Sequence, residues 1–204
     1  MYLYWYGQSS FKIQNKEITI LIDPYSSRQA GLRGPNFKAD IIILSQEDLS
    51  RQAKKDIKEG FLIDCPGEYE IRGVFVLGTK TKSNKIIYQI EIDNLKIGYL
   101  GDINQTLTDS ELEKIDNADV LIIPVGDKKS TLGVKEAAEI IREIEPKVVV
   151  PSCYQIPGVK AQLEPLDKFL KELGTKKVET DDKIKLSRKD LPETGTKVIV
   201  LKTS

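Results

Sequence analysis

Five apolar runs in this 204-residue chain stop at clusters of polar side chains: Ile22 before Asp23-Pro24, Leu44 before "SQEDLSR", Leu100 before "GDINQ", Val125 before "GDKKST" and Val150 before "PSCYQ". Strand ends that converge in space commonly form binding and catalytic clefts, so together they point to one shared site. Any one of them alone is better read as a turn, because Asp and Ser are frequent turn formers. The available chemistry is narrowed by the histidine count, which is 0. Neither a Ser-His-Asp triad nor a Cys-His dyad can form, and the commonest metal ligand and neutral-pH base is missing. Cys153 ends one of the five runs and could be a reactive thiol, although buried structural cysteine is the more frequent case. "GDKKST", residues 126–131, could hold a phosphate with its lysines, Ser130 and Thr131, but it lacks the glycine spacing of a phosphate-binding loop.

The elements that must position these residues follow from pattern. Tyr2 to Tyr6, Phe11 to Gln14, Ile18 to Ile22 and Ile41 to Leu44 are rich in β-branched and aromatic residues and read as strands. Asp93-Asn94 separates two alternating runs that would pair as a hairpin, so the first half is expected to be mostly antiparallel sheet. The second half alternates buried strands with helices. "TDSELEKI" opens with Thr108 and Glu111 at capping-box spacing, and "GVKEAAEIIREIEP" carries Ala137, Ile140, Ile141 and Ile144 on one face. "LEPLDKFLKELG" is a second amphipathic helix ending in Gly174. Residues 23–40 lack periodicity and read as either a functional loop or a surface Ω-loop.

Length fits a single domain over residues 1–204. The 31 basic and 31 acidic side chains cancel, which argues against a nonspecific polyanion binder, so neither nucleic acid nor a membrane is an expected partner. No run is apolar for long enough to span a bilayer and the opening lacks a signal-peptide pattern, so a cytoplasmic location is expected. Cys65 and Cys153 do not make a disulfide framework.

"YWYGQSSFKI", "ILIDPY", "ADIIILSQEDLS", "CPGEYEIRGVFVLGT", "IGYLGDINQTLTDSELEKI", "ADVLIIPVG" and "EPKVVVPSCY" occur in an order and spacing that resemble the metallo-β-lactamase-fold hydrolases. "PGEYEI", "LGD" and "IIPVG" look like the ascorbate-6-phosphate-lactonase-like branch. The resemblance runs from Tyr4 to about Leu201. It implies an α/β fold, a four-layer αββα sandwich with helices outside two central sheets, and often oligomers. It also implies a metal-binding Ser/Thr-His-x-His-x-Asp-His loop after Leu44. Here Ser45 matches, but the histidine positions fall on Gln46, Asp48 and Arg51 and the aspartate position on Ser50. Other family histidines fall on Gln8, Tyr99 and Cys153, and a further one has at most Ser83 in its place. The bridging Asp102 is kept, as is Asp23, whose implied role is to support the ligands.

A catalytic zinc site needs about three deprotonated nitrogen, sulfur or carboxylate donors. Asp48, Asp102 and Cys153, with Glu47 nearby, are what remains; such a set would hold zinc or manganese weakly. Arg51, pointing inward, would oppose a dication and pair with Asp48 and Asp102 instead, helped by a lysine from "KTKSNK". These considerations lead to the expectation of a degenerate, non-hydrolytic protein without catalytic residues or cofactor, serving as a ligand- or partner-binding module, with a homo-oligomer among the assemblies open to it; the alternative is a divergent metal-dependent hydrolase with a rebuilt Asp/Cys site.

Overall fold

Alternation along "YLYWYG" sends Leu3 and Trp5 inward, where they are buried, and leaves Tyr2, Tyr4 and Tyr6 at least partly exposed. The same period-2 logic builds two sheets in the computed structural model, which describes residues 1–25, 30–46, 59–175 and 178–204. In chain order the strands are β1 (Tyr2–Gly7), β2 (Ser10–Gln14), β3 (Thr19–Ile22), β4 (Ile41–Ile43), β5 (Phe61–Ile63), β6 (Gly67–Ile71), β7 (Val74–Lys80), β8 (Ile86–Ile92), β9 (Leu95–Tyr99), β10 (Val120–Pro124), β11 (Val148–Ser152), β12 (Glu179–Asp181), β13 (Ile184–Lys185) and β14 (Lys197–Leu201). One sheet runs β13-β1-β2-β3-β4-β5 and the other β12-β14-β11-β10-β9-β8-β7-β6. Their facing apolar sides, with Trp5, Phe11, Ile20, Ile41, Tyr88 and Tyr99 among the buried side chains, form the main core. This is the mixed α/β two-sheet sandwich expected from the sequence.

Among the described residues the α-helices with both ends described are α1 (Asp109–Leu112), α2 (Val134–Ile144) and α3 (Leu166–Glu172). In α2 the expected Ala137, Ile140, Ile141 and Ile144 are buried together with Ala138, and α2 packs on β10 and α3. In α1, Glu111 accepts from the Thr108 N–H at 2.7 Å, completing the capping box. No helix among the described residues is long and apolar enough to cross a membrane. A smaller apolar cluster, Leu21, Ala39, Ile42 and Leu44 with Phe37 and Leu62, is separate from the main core.

The expectation of antiparallel pairing in the first half holds for β1-β2-β3 and for β6 to β9, with Asp93 and Asn94 both at positive φ in the β8–β9 turn. It fails at β4 and β5, which pair in parallel with β3 and with each other. The reason is the connections: residues 23–40 and 44–60 are long enough for crossovers, and Ile41–Ile43 is buried throughout, as parallel strands are. Strands β9, β10 and β11 are also parallel. Parallel neighbours finish at the same sheet edge, so Asp23 and Ser45 emerge together on one sheet, and Asp102, Gly126 and Cys153 together on the other.

Candidate functional site

The two edges meet. Ile86 N–H donates to the Ser45 carbonyl at 2.9 Å, and Cys153 N–H to the Gln8 carbonyl at 3.3 Å. Of the non-glycine residues held at positive φ, Gln8 (51°), Asp23 (44°) and Cys153 (54°) all lie here. Asn84 lies in the adjoining loop that carries Lys85, and the others are in turns or at a helix end elsewhere. Side chains rarely adopt that conformation, and its concentration at one place is a mark of functional sites. Gly101 is required at the same edge: its φ is 61°, and a Cβ there would come within 2.7 Å of the Ser45 hydroxyl.

The floor of the cleft is a buried polar network. Asp23 is 1% exposed; its Oδ1 accepts from Ser45 N–H at 2.7 Å, and its Oδ2 lies 2.5 Å from both the Ser45 and Tyr99 hydroxyls. The Tyr99 hydroxyl also lies 2.7 Å from the Ser9 carbonyl. One phenolic proton cannot serve both acceptors. Below about pH 6 a protonated Asp23 can donate to Tyr99, which then donates to Ser9; above it the phenolic proton lies between the two acceptors. Burial pushes Asp23 up to about 6 despite the hydrogen bonds that oppose it, consistent with that arrangement. Tyr99, fully enclosed and facing Asp23, is driven far above the usual phenol range.

Above the floor stands a more open group. Gln46 donates from Nε2 to Asp102 Oδ2 at 2.6 Å, and Lys85 Nζ sits 3.0 Å from Asp102 Oδ1. Both charged side chains are 24% exposed, so water or a substrate can reach them. Oδ1 itself is out of contact with solvent and receives no directed hydrogen bond, so Lys85 compensates its charge by proximity alone. The Lys85 loop is tightly built: Thr81 N–H bonds the Lys85 carbonyl at 2.8 Å, Asn84 takes positive φ, and Lys82 N–H donates to Glu111 at 2.8 Å.

Of the residues singled out from sequence, Gln8, Gln46, Asp102 and Cys153 are thus brought to one edge, with Asp23 beneath them in its supporting role. Asp48, Ser50, Arg51 and Glu47 lie outside the described residues. Ser83 bonds Thr81 at 2.9 Å. Cys153 is buried, and that burial, followed by the charge of Asp102, raises its thiol far above the ordinary value, so the reading as a reactive thiol does not hold. The phosphate reading of residues 126–131 fails as well: Asp127 accepts from the Ser130 hydroxyl and amide, each at 2.7 Å, and Lys128 pairs with Glu136 at 2.6 Å. Sequence reasoning placed a lysine of "KTKSNK" near Asp102 without identifying Lys85, and missed the Gln46–Asp102 bond.

A family model described as "Beta-lactamase superfamily domain" matches residues 2–152. A UPF0173 protein of Pyrococcus furiosus is 26% identical over 208 residues, spanning 87% of this chain and 93% of that protein. A protein of Pyrococcus horikoshii named a UPF0173 metal-dependent hydrolase is 28% identical over 198 residues, spanning 78% of this chain and 87% of its own. A solved structure from Thermotoga maritima, described as a candidate Zn-dependent hydrolase of the metallo-beta-lactamase superfamily, shares 31% identity and a TM-score of 0.82, covering 98% of each chain. These likenesses overturn the expectation of a non-hydrolytic binding module. The missing histidines argue for loss of the site, whereas the scaffold, Asp23 and Asp102 are kept and the strand ends hold a charged, partly open group.

Proposed function

The chain belongs to the metallo-β-lactamase superfamily, and from that premise we propose that it is a hydrolase acting at the cleft around Asp102. The observation that carries this is the Lys85–Asp102–Gln46 group, solvent-accessible and mounted on a rigid floor at the strand ends. The motifs "PGEYEI", "LGD" and "IIPVG" favour the ascorbate-6-phosphate-lactonase-like branch, which makes cyclic esters the first substrate class to test.

The names of relatives raise the question of a metal, and the donors described here do not fit one. Among the described residues no three His, Cys, Asp or Glu side chains cluster as ligands. Asp102 has one oxygen bonded by Gln46 and the other faced by an ammonium group, which a dication would have to displace. Cys153 is buried and its thiol is pushed above the ordinary value, so a metal would have to displace its proton. Of the set Asp48, Asp102 and Cys153, Asp102 is engaged by Gln46 and Lys85, and Asp48 lies outside the described residues.

The chain's own groups supply an alternative. Asp102, through the lone pair of Oδ2 that Gln46 leaves open, takes a proton from a water molecule as that water attacks the ester carbonyl. The Lys85 ammonium faces the negative charge that develops on the carbonyl oxygen, where a fixed positive group acts most strongly. Gln46 holds the carboxylate in orientation, and the proton on Asp102 passes to the leaving oxygen.

The test is hydrolysis of a panel of lactones, carboxylic esters and phosphodiesters, with and without chelator. Chelator-resistant turnover that falls about 100-fold or more in Asp102→Asn is expected. Absence of turnover across the panel, or full turnover in the variant, would overturn the proposal. Turnover that needs added zinc or manganese and is lost in Cys153→Ala would replace Lys85 by a metal ion.

A further inference from the structure

Away from the cleft, the outer face of the six-stranded sheet carries an arrangement that hydrolysis does not use. Tyr2, Tyr4 and Tyr6 project from alternate positions of β1, and Phe37 stands against Tyr6 with ring centres 5.5 Å apart. The centres of Tyr2 and Tyr4 are 6.5 Å apart. Lys12 lies opposite Tyr4 on β2, and Lys185 opposite Tyr2 on β13. The Lys12 ammonium is 3.9 Å from the centre of the Tyr4 ring and 5.0 Å from that of Phe37. Lys183 lies over the same strip, 5.0 Å from the Tyr2 ring and 5.8 Å from Tyr4.

Among the described residues, none of Lys12, Lys183 and Lys185 is paired with a carboxylate. The adjacent Asp182 is engaged by Lys202 at 3.4 Å. Lys12 titrates below the ordinary lysine value, chiefly through partial burial and then through the neighbouring Lys183 charge. Two cations therefore face each other over aromatic rings with no anion of the described residues paired to either. A net charge of zero for the whole chain conceals this local segregation.

We propose that this face binds single-stranded nucleic acid, with bases on the rings and phosphates on the lysines. Alternate residues of a strand recur about every 6.5 Å, a spacing that lets successive bases of an extended strand meet Tyr2, Tyr4 and Tyr6. A phosphate draws the ammonium groups off the ring faces and frees those faces for bases. Base–aromatic stacking tolerates any sequence, so the binding is expected to show little base preference and strong salt dependence. A duplex, whose bases are stacked internally, gains only the charge contribution.

Fluorescence anisotropy with labelled oligo(dT) and oligo(rU) of about 12 nucleotides tests the proposal at low salt. Binding is expected to weaken by about tenfold or more in Lys12→Glu/Lys183→Glu and several-fold in Tyr2→Ala, with a duplex of equal length binding less well. Asp102→Asn should bind as the parent does, which separates this face from the cleft. No anisotropy change at low salt, an unaltered affinity in the charge-reversed protein, or equal affinity for duplex would overturn it. So would retention by phosphatidylserine vesicles without any oligonucleotide binding. Thermal melts check folding; if Tyr2→Ala melts early, the charge-reversed protein and the duplex comparison decide.

Discussion

Asp23 and Asp102 are carboxylates at neighbouring strand ends, yet their surroundings differ in almost every respect. Asp23 is enclosed, sees hydroxyls and an amide but no cation among the described residues, and holds its proton up to about pH 6. Asp102 is partly open, receives Gln46 and faces Lys85. Environment has divided two identical side chains into a structural brace and the group proposed to react. Asp23 fixes Ser45 by backbone and side chain at once, and the Ser45 carbonyl in turn fixes Ile86, the residue after Lys85. The brace therefore sets the geometry in which the open pair works.

The strongest way to break the comparison is to remove the brace. Asp23→Ala leaves the Ser45 amide and hydroxyl without their acceptor inside the protein and opens a cavity beside Tyr99. A loss of about 3–5 kcal/mol in denaturant unfolding is expected. A loss below about 1 kcal/mol would mean that the network is not structural.

The next largest effect is a pH dependence. The folded-state value near 6 lies above the ordinary 3.8, so the folded chain binds the Asp23 proton more tightly than the unfolded chain does. The stabilisation is complete below pH 3.8 and is lost as pH rises through 6. It amounts to about 3 kcal/mol at 1.36 kcal/mol per unit. Asp23→Asn carries the donor that the protonated acid has and should flatten this slope. Unfolding curves of parent and variant between about pH 4 and 7, compared as a difference, isolate it from other titrating groups. A parallel pair of curves would return Asp23 to an ordinary carboxylate.

Much of this layout was legible in the sequence, and what was not has identifiable causes. Apolar runs ending in polar clusters located the cleft, and the periodicity of residues 134–144 and the Thr108–Glu111 spacing gave the helices. Strand direction was not legible at β4, because three isoleucines in a row pair equally well either way until the connections are known. Positive φ at Gln8, Asp23 and Cys153 leaves no mark on residue type, since none is glycine. The choice of Lys85 among the lysines of "KTKSNK" depends on the turn at Asn84 and on Glu111 holding Lys82, contacts far apart in sequence. Reading Gln46 only as a substituted ligand hid its bond to Asp102.

The smallest effect on stability is expected at the open pair, and it bears most directly on the comparison. Lys85→Met removes the ammonium while keeping much of the stem's packing. Asp102 then loses a charge partner, but its side chain is 24% exposed and can recover part of that loss from water. Partly exposed ion pairs contribute about 1 kcal/mol or less, so the unfolding curve should shift little. Hydrolysis should fall far more, because the lost charge faces the developing oxyanion. A double-mutant cycle with Asp102→Asn separates the two: weak coupling in unfolding beside strong coupling in kcat identifies a reacting pair. Coupling in unfolding of about 3 kcal/mol or more, with kcat unmoved, would make Lys85–Asp102 a second brace and erase the distinction between the two carboxylates.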